Sequence, residues 1–325
     1  MEMKFVDLHC DTISQCVARP GIEAVPLRRN SGHIDIEKLQ KGGALVQFFA
    51  IFILTHGEME KSGLNMDPYT YFNFVYEAYQ REMKANADAI APAMNYDDIM
   101  ANKAKGLMSS VLTIEDGVPV EGKIERIDEF YKKGVRLITL TWNYENSLAF
   151  PNSRDNDKMQ LGLKPFGIEA VRRMNELGIL VDVSHLSDGG FYDVAKYSQK
   201  PFVASHSCAR ALCSHPRCMT DDMLRVLGEK GGVCGINFCA SFLRDNSNDT
   251  TIEDIVTHAR HIAKVAGIDA LALGSDFDGI GSNLEFKDYT GMPSIADALS
   301  KHFTASEVDK ISSGNALRVI RESMK

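Results

Sequence analysis

A single-domain (β/α)8 barrel of the TIM type, with a metal site at the C-terminal face of its strands, is the fold this sequence predicts. Three observations carry the prediction. Eight short apolar runs recur through 325 residues, one about every 41. Helical patterns with a period of about 3.6 residues lie between the runs. No Pro- or Ser-rich linker divides the chain. Length alone leaves one domain or two open, because about 150 residues is a usual domain size whereas α/β barrels often fill this length as one.

The runs are Lys4–Leu8, Ala44–Ile53, Leu107–Ile114, Arg136–Leu140, Ile179–Val183, Pro201–Ala204, Gly232–Ile236 and Ala270–Leu273. Strands buried on both faces read as near-continuous Val, Ile and Leu, and several of these do. The segment from Phe166 to Gly178 predicts a helix closed by a C-cap glycine. Thr220 to Gly228 predicts one opened by a Thr N-cap with acids in its first turn. Helices are also expected over Thr251–Val265 and Ala305–Met324. A doubly wound open sheet is the alternative, but no Gly-rich phosphate loop follows any run. The polar stretches Thr55–Pro68 and Trp142–Leu163 fit long βα loops, which in a barrel gather at the catalytic face.

Composition restricts the function classes. Apolar residues make up 44% and charged residues 25%, ordinary globular values that exclude a disordered or fibrous chain. The net charge is −8, spread without acidic blocks, which argues against nucleic acid or an anionic membrane as partner. No apolar run reaches the roughly 18 residues of a membrane span, and the start of the chain predicts no secretory signal. Seven cysteines, an odd number without a CxxC pair, predict reduced, mostly buried thiols and a cytoplasmic location. A homodimer is the default assembly.

The chemistry lies at the ends of the runs. The first ends Asp7-Leu-His9-Cys-Asp11, the third Thr113-Ile-Glu115-Asp-Gly117, the fifth Asp182-Val-Ser-His185, the sixth Ser205-His206-Ser207 and the eighth Gly274-Ser-Asp276-Phe-Asp-Gly279. His9 and Asp11, two apart on an extended chain, project to one side and suit two ligands of one metal. Taken singly, each motif also fits an ordinary turn or a capping acid. Together they place three imidazoles and several carboxylates at one rim, a set that can hold two divalent metals and suits zinc best. Such a pair lowers the pKa of water and polarises a carbonyl. His33, His56, His258, His261 and His302 stand in polar contexts and are expected at the surface; His215 lies in a loop of undetermined role.

In this combination and order the chain resembles the renal (membrane) dipeptidase family of binuclear zinc peptidases, and is similar to its soluble bacterial members. The resemblance implies two zinc ions, His9 and Asp11 on one, His185 and His206 on the other, with Glu115 bridging. It implies that Asp276 handles the proton and that Arg217 binds the carboxylate of a dipeptide, with Arg210 as the alternative anchor. It also implies tolerance of a D-residue at the C-terminal side. Two departures stand out. Leu140-Thr-Trp142 carries Trp where the family has a substrate-contacting His, leaving Asn143 or Tyr144 as replacements, and Asn237-Phe-Cys239 ends in Cys where the family has Tyr. A different amidohydrolase-type or deaminase barrel is disfavoured, because those usually open with HxH. A metal-binding protein without catalysis is the other alternative.

Overall fold

The computed structural model describes residues 3–325; residues 1 and 2 and the side chain of His56 lie outside the described residues. The expectations placed on the first two residues and on His56 therefore lie outside them as well. Eleven strands occur in the order β1 (Phe5–Cys10), β2 (Ala44–Phe52), β3 (Ile90–Pro92), β4 (Met108–Glu115), β5 (Val135–Thr139), β6 (Leu180–Asp182), β7 (Val203–Ser207), β8 (Val233–Ile236), β9 (Asp249–Thr250), β10 (Leu271–Leu273) and β11 (Asn283–Leu284). Eight of them close a parallel barrel in the cyclic order β1, β2, β4, β5, β6, β7, β8, β10. Every predicted run overlaps a barrel strand, the sixth only at Val203 and Ala204.

The pleat sorts each strand into two faces. Val6, Val46, Val111, Leu137, Leu180, Val203, Val233 and Ala272, one from each barrel strand, pack together with Val319 and Ile320. They fill the interior near the N-terminal end of the strands, where the closing helix Asn315–Ser323 seals the barrel. Residues one step along, such as Leu112, Ile138 and Val181, join the larger cluster beneath the surrounding helices. With its lower half filled by apolar side chains, the barrel leaves only the opposite mouth for chemistry.

The helices follow their local signals. Pro165–Leu177 ends on Gly178 at φ +87°, a left-handed conformation that glycine adopts at no steric cost. Thr220 caps Asp221–Glu229, and Thr251 with Asp254 forms a capping box before Ile252–Ala266. The helix expected over 305–324 is instead Ala305–Asp309, a π-helical stretch Lys310–Gly314 and Asn315–Ser323. Strand β3 was not expected from the sequence; three residues ending in Pro give too short a pattern, and β3 forms by pairing with β4. His258 departs from its expected surface position. It is 1% exposed, accepts from the Ala209 amide and contacts the Leu243 carbonyl at 2.8 Å, so it joins its helix to a loop and to the short helix Ala240–Leu243.

Candidate metal centre

His9, Glu115 and His206 lie at the last turns of β1, β4 and β7, while Asp11, His185 and Asp276 stand just beyond β1, β6 and β10. His185 and Asp276 adopt φ of 66° and 61°. Non-glycine residues accept that left-handed backbone at a cost of about 1–3 kcal/mol, and it is typical of functional sites. Here it turns both side chains back toward the barrel axis.

The three imidazoles converge through Nε2. Glu115 lies between them, with Oε1 at 3.1 Å from His185 Nε2 and 3.5 Å from His206 Nε2, and Oε2 at 3.5 Å from His9 Nε2. On the far side His9 Nε2 is 3.6 Å from Asp11 Oδ2 and 3.8 Å from Asp276 Oδ1. Two groups of three potential ligands result, His9–Glu115–His206 and His9–Asp11–Asp276. Both ring nitrogens of His9 and Oδ1 of Asp11 are buried without a hydrogen-bond partner. Buried polar atoms are normally paired, so these orphans fit a site made for cations.

The electrostatics agree. Burial and the neighbouring Asp11 carboxylate push Glu115 up to about 8, and burial moves Asp276 up to about 6. Burial works to lower His9, but the Glu115 and Asp11 carboxylates prevail and hold it well above its usual range. Burial, reinforced by Arg217 and His9, keeps His185 and His206 well below theirs, hence neutral and able to ligate. Several carboxylates thus face one another in a dry site with too little positive charge, an arrangement that divalent cations would relieve.

Behind these residues stands a second set that sequence reasoning missed. Asp182 accepts from Ser205 N and Ser184 N through Oδ1, and from Thr139 Oγ1 and Ser205 Oγ through Oδ2. Asp7 repeats the device one strand pair away, accepting from Ser275 N and Oγ and from Gln47 Nε2. Ser205 Oγ lies 2.8 Å from His206 Nδ1. Because its own proton goes to Asp182, it accepts from Nδ1–H and leaves Nε2 bare. Asn143 Oδ1, 3.0 Å from His185 Nδ1, fixes the second imidazole the same way. The legible signal was a Ser immediately before each of His185, His206 and Asp276; the paired acids were visible only as strand residues.

A cavity of about 490 Å³ opens over the centre, lined by Asp11, Glu115, His185 and Asp276 and by the predicted Trp142 and Asn143. The Trp142 ring meets Phe52 edge-on at 4.9 Å and lies 6.1 Å from the His185 ring. Asn237 Nδ2 donates to Asp276 Oδ2 at 2.8 Å. Arg217 is 5% exposed; Nη2 donates to the His206 carbonyl, its buried Nε has no partner, and no carboxylate lies within ion-pair distance among the described residues. Arg210 is a correction. Its guanidinium is bidentate to Asp188 at 2.7 Å and donates also to the carbonyls of Cys218 and Pro216, so it braces the loop that carries Arg217.

A closed parallel barrel with His and carboxylates converging at its C-terminal mouth belongs to the class of metal-dependent hydrolases. Comparison with known proteins narrows the class to one family. The chain belongs to the membrane dipeptidase family, peptidase family M19, whose pattern matches residues 1–325, and it is a metal-dependent dipeptidase. It is 36% identical over 69% of its length to an uncharacterized protein from the pqqA 5′ region of Klebsiella pneumoniae, covering 85% of that protein. It is 30% identical to dipeptidase tcpJ of Claviceps purpurea, over 91% of this chain and 71% of that one. A metallopeptidase from Rhodobacter sphaeroides, solved with a phosphinate mimic of L-Ala-D-Ala, superposes with a TM-score of 0.88 at 23% identity, covering 99% of this chain and all of that one. A dipeptidase of family M19 gives 0.87 at 24% identity, covering 100% and 99%. Among the described residues no helix is long and apolar enough to cross a membrane.

Proposed function

We propose that this single barrel domain holds two zinc ions and hydrolyses dipeptides that carry a free C-terminal carboxylate, a D-residue at that position included. The observation that carries the reading is the placement of Glu115, with one oxygen toward His185 and His206 and the other toward His9. His9 and Asp11 would hold one ion, His185 and His206 the other, and Glu115 would bridge. The ions would supply Lewis acidity for the scissile carbonyl and acidify the attacking water.

The chain's own residues do the rest. Arg217, buried and without a counter-ion, offers a planar fork to the substrate carboxylate, geometry that suits bidentate binding. Asp276, held above the usual carboxylate range by burial, takes a proton from the attacking water and returns it to the leaving amine. Asn237 steadies it. Trp142 stands where an imidazole was expected and gives the cavity an aromatic wall, while Asn143 directs its carbonyl oxygen to His185 and leaves its NH2 for the substrate. The L-Ala-D-Ala mimic bound by the Rhodobacter enzyme supports D-residue tolerance.

The test joins elemental analysis to a panel of L,L and L,D dipeptides set against N-acyl amino acids. Two zinc ions per chain with dipeptide turnover is the expected result. Two ions without turnover would favour a protein that has lost catalysis. Glu115→Gln should lower occupancy to about one ion per chain; unchanged occupancy would refute the bridging role.

A further inference from the structure

The acids lining the cavity beyond the proposed metal ligands are already committed. Glu58 Oε2 accepts from Thr55 N and Oγ1, both at 2.8 Å, within a helix-capping box. Asp278 accepts from Thr12 Oγ1 and from the amides of His33 and Ile34. Arg19 is different. It lines the same cavity, half-buried, yet no carboxylate lies within 4.0 Å of its guanidinium among the described residues. Only Nη2 is engaged, donating to the Ser14 carbonyl at 2.7 Å and to the Tyr71 hydroxyl at 3.4 Å. Nη1 and Nε donate to nothing among the described residues.

Its position is fixed on both sides. The Arg19 backbone is bridged to Ile22 by two hydrogen bonds of 2.9 Å, and the buried Tyr71 meets its tip. Arg19 follows β1, whereas Arg217 follows β7, and Arg19 lines the cavity together with Asp11, Glu115 and His185. With its carboxylate on the β7 side and its peptide bond over the centre, a dipeptide would present its N-terminal residue to the β1 and β2 loops. Phe52 and Leu54 supply apolar surface on that side, and Arg19 supplies the charge.

We infer that Arg19 is a specificity residue that selects dipeptides with an acidic side chain on the N-terminal residue. The inference rests on the dipeptidase reading above. A side-chain carboxylate would receive a charge-assisted hydrogen bond from Nε or from Nη1 and set its full negative charge against the guanidinium, while a carboxamide of the same shape would offer only a dipole. A fixed, charged donor left without its partner is what gives a polar subsite its discrimination.

The experiment measures kcat/KM for Glu-Ala, Gln-Ala, Lys-Ala and Ala-Ala with the zinc-loaded enzyme and with Arg19→Gln. The wild type should prefer Glu-Ala over Gln-Ala by about tenfold or more, with Lys-Ala poorest. In Arg19→Gln the Glu-to-Gln ratio should fall to about 1, and Arg19→Lys should restore part of it. A wild-type ratio near 1 with good Ala-Ala turnover, a preference for Lys-Ala, or a ratio unchanged in Arg19→Gln would each overturn the role of Arg19 and leave the dipeptidase reading standing. Failure to hydrolyse any of the four would overturn both.

Discussion

Replacing Ser205 by Ala removes one oxygen that touches neither substrate nor metal, and its consequence can be worked from the hydrogen bonds. His206 is fully buried, and Ser205 Oγ is the acceptor 2.8 Å from its Nδ1. The same oxygen donates to Asp182 Oδ2 at 2.6 Å. In the variant, Nδ1–H loses its acceptor in a dry site, at a cost of about 1–3 kcal/mol. The ring escapes that cost by rotating or by carrying its proton on Nε2, and either response removes the lone pair meant for the metal. A weakening of metal affinity by about 10- to 100-fold follows, the range usual for the loss of a group that orients a ligand. Competition against a chromophoric chelator measures it. Ring ¹⁵N shifts of the metal-free protein should show the His206 proton moving from Nδ1 to Nε2. Melting in excess chelator separates this from a loss of fold. Affinity within twofold of wild type, or an unmoved proton, would refute the reasoning.

Two further predictions concern residues beside the centre. Asp116, 5% exposed and at φ 76°, is raised from 3.8 to about 6, mainly by burial. A raised carboxyl favours the protonated fold: this contribution is full below about pH 4 and is lost as pH rises through about 6, a difference of about 3 kcal/mol. Asp116→Asn keeps an acceptor for Val118 N and suits the left-handed backbone, so it should raise stability at pH 7.5 by about 1–3 kcal/mol and give no gain at pH 4; equal effects at both pH values in denaturant titrations would contradict the assignment. Gly279 sits against the centre, where a Cβ would collide with Asp11 Oδ2 and lie 2.5 Å from Asp276 Oδ1. Gly279→Ala should therefore lower metal occupancy and cut kcat by about tenfold or more, while the melting temperature in chelator moves by only a few degrees; full occupancy in elemental analysis would refute it.

The barrel was legible because its signal is repetitive. A strand buried on both faces must be apolar, and eight such runs with no linker leave few other arrangements. The candidate site residues were legible for a related reason: in a barrel, chemistry belongs at the C-terminal ends of the strands, so His9, Asp11, Glu115, His185, His206 and Asp276 could be placed on one rim from their position in each run. Strand β3, the π-helical break after Asp309 and the buried His258 were not legible, because each depends on partners distant in sequence.

Arg210 and Arg217 make the boundary plain. Seven residues apart in one loop, they offer the same guanidinium and the same reach, and sequence could not choose between them. Folding brings Asp188 to Arg210 and satisfies it, and buries Arg217 with no carboxylate within ion-pair distance among the described residues. The sequence by itself determined a barrel with a metal-binding rim, since residue type and strand register are local properties. Which imidazole nitrogen faces inward, which arginine is left free and which serine orients a ligand were decided only by tertiary structure, because a hydrogen bond or an ion pair depends on which groups the fold brings within about 3 Å.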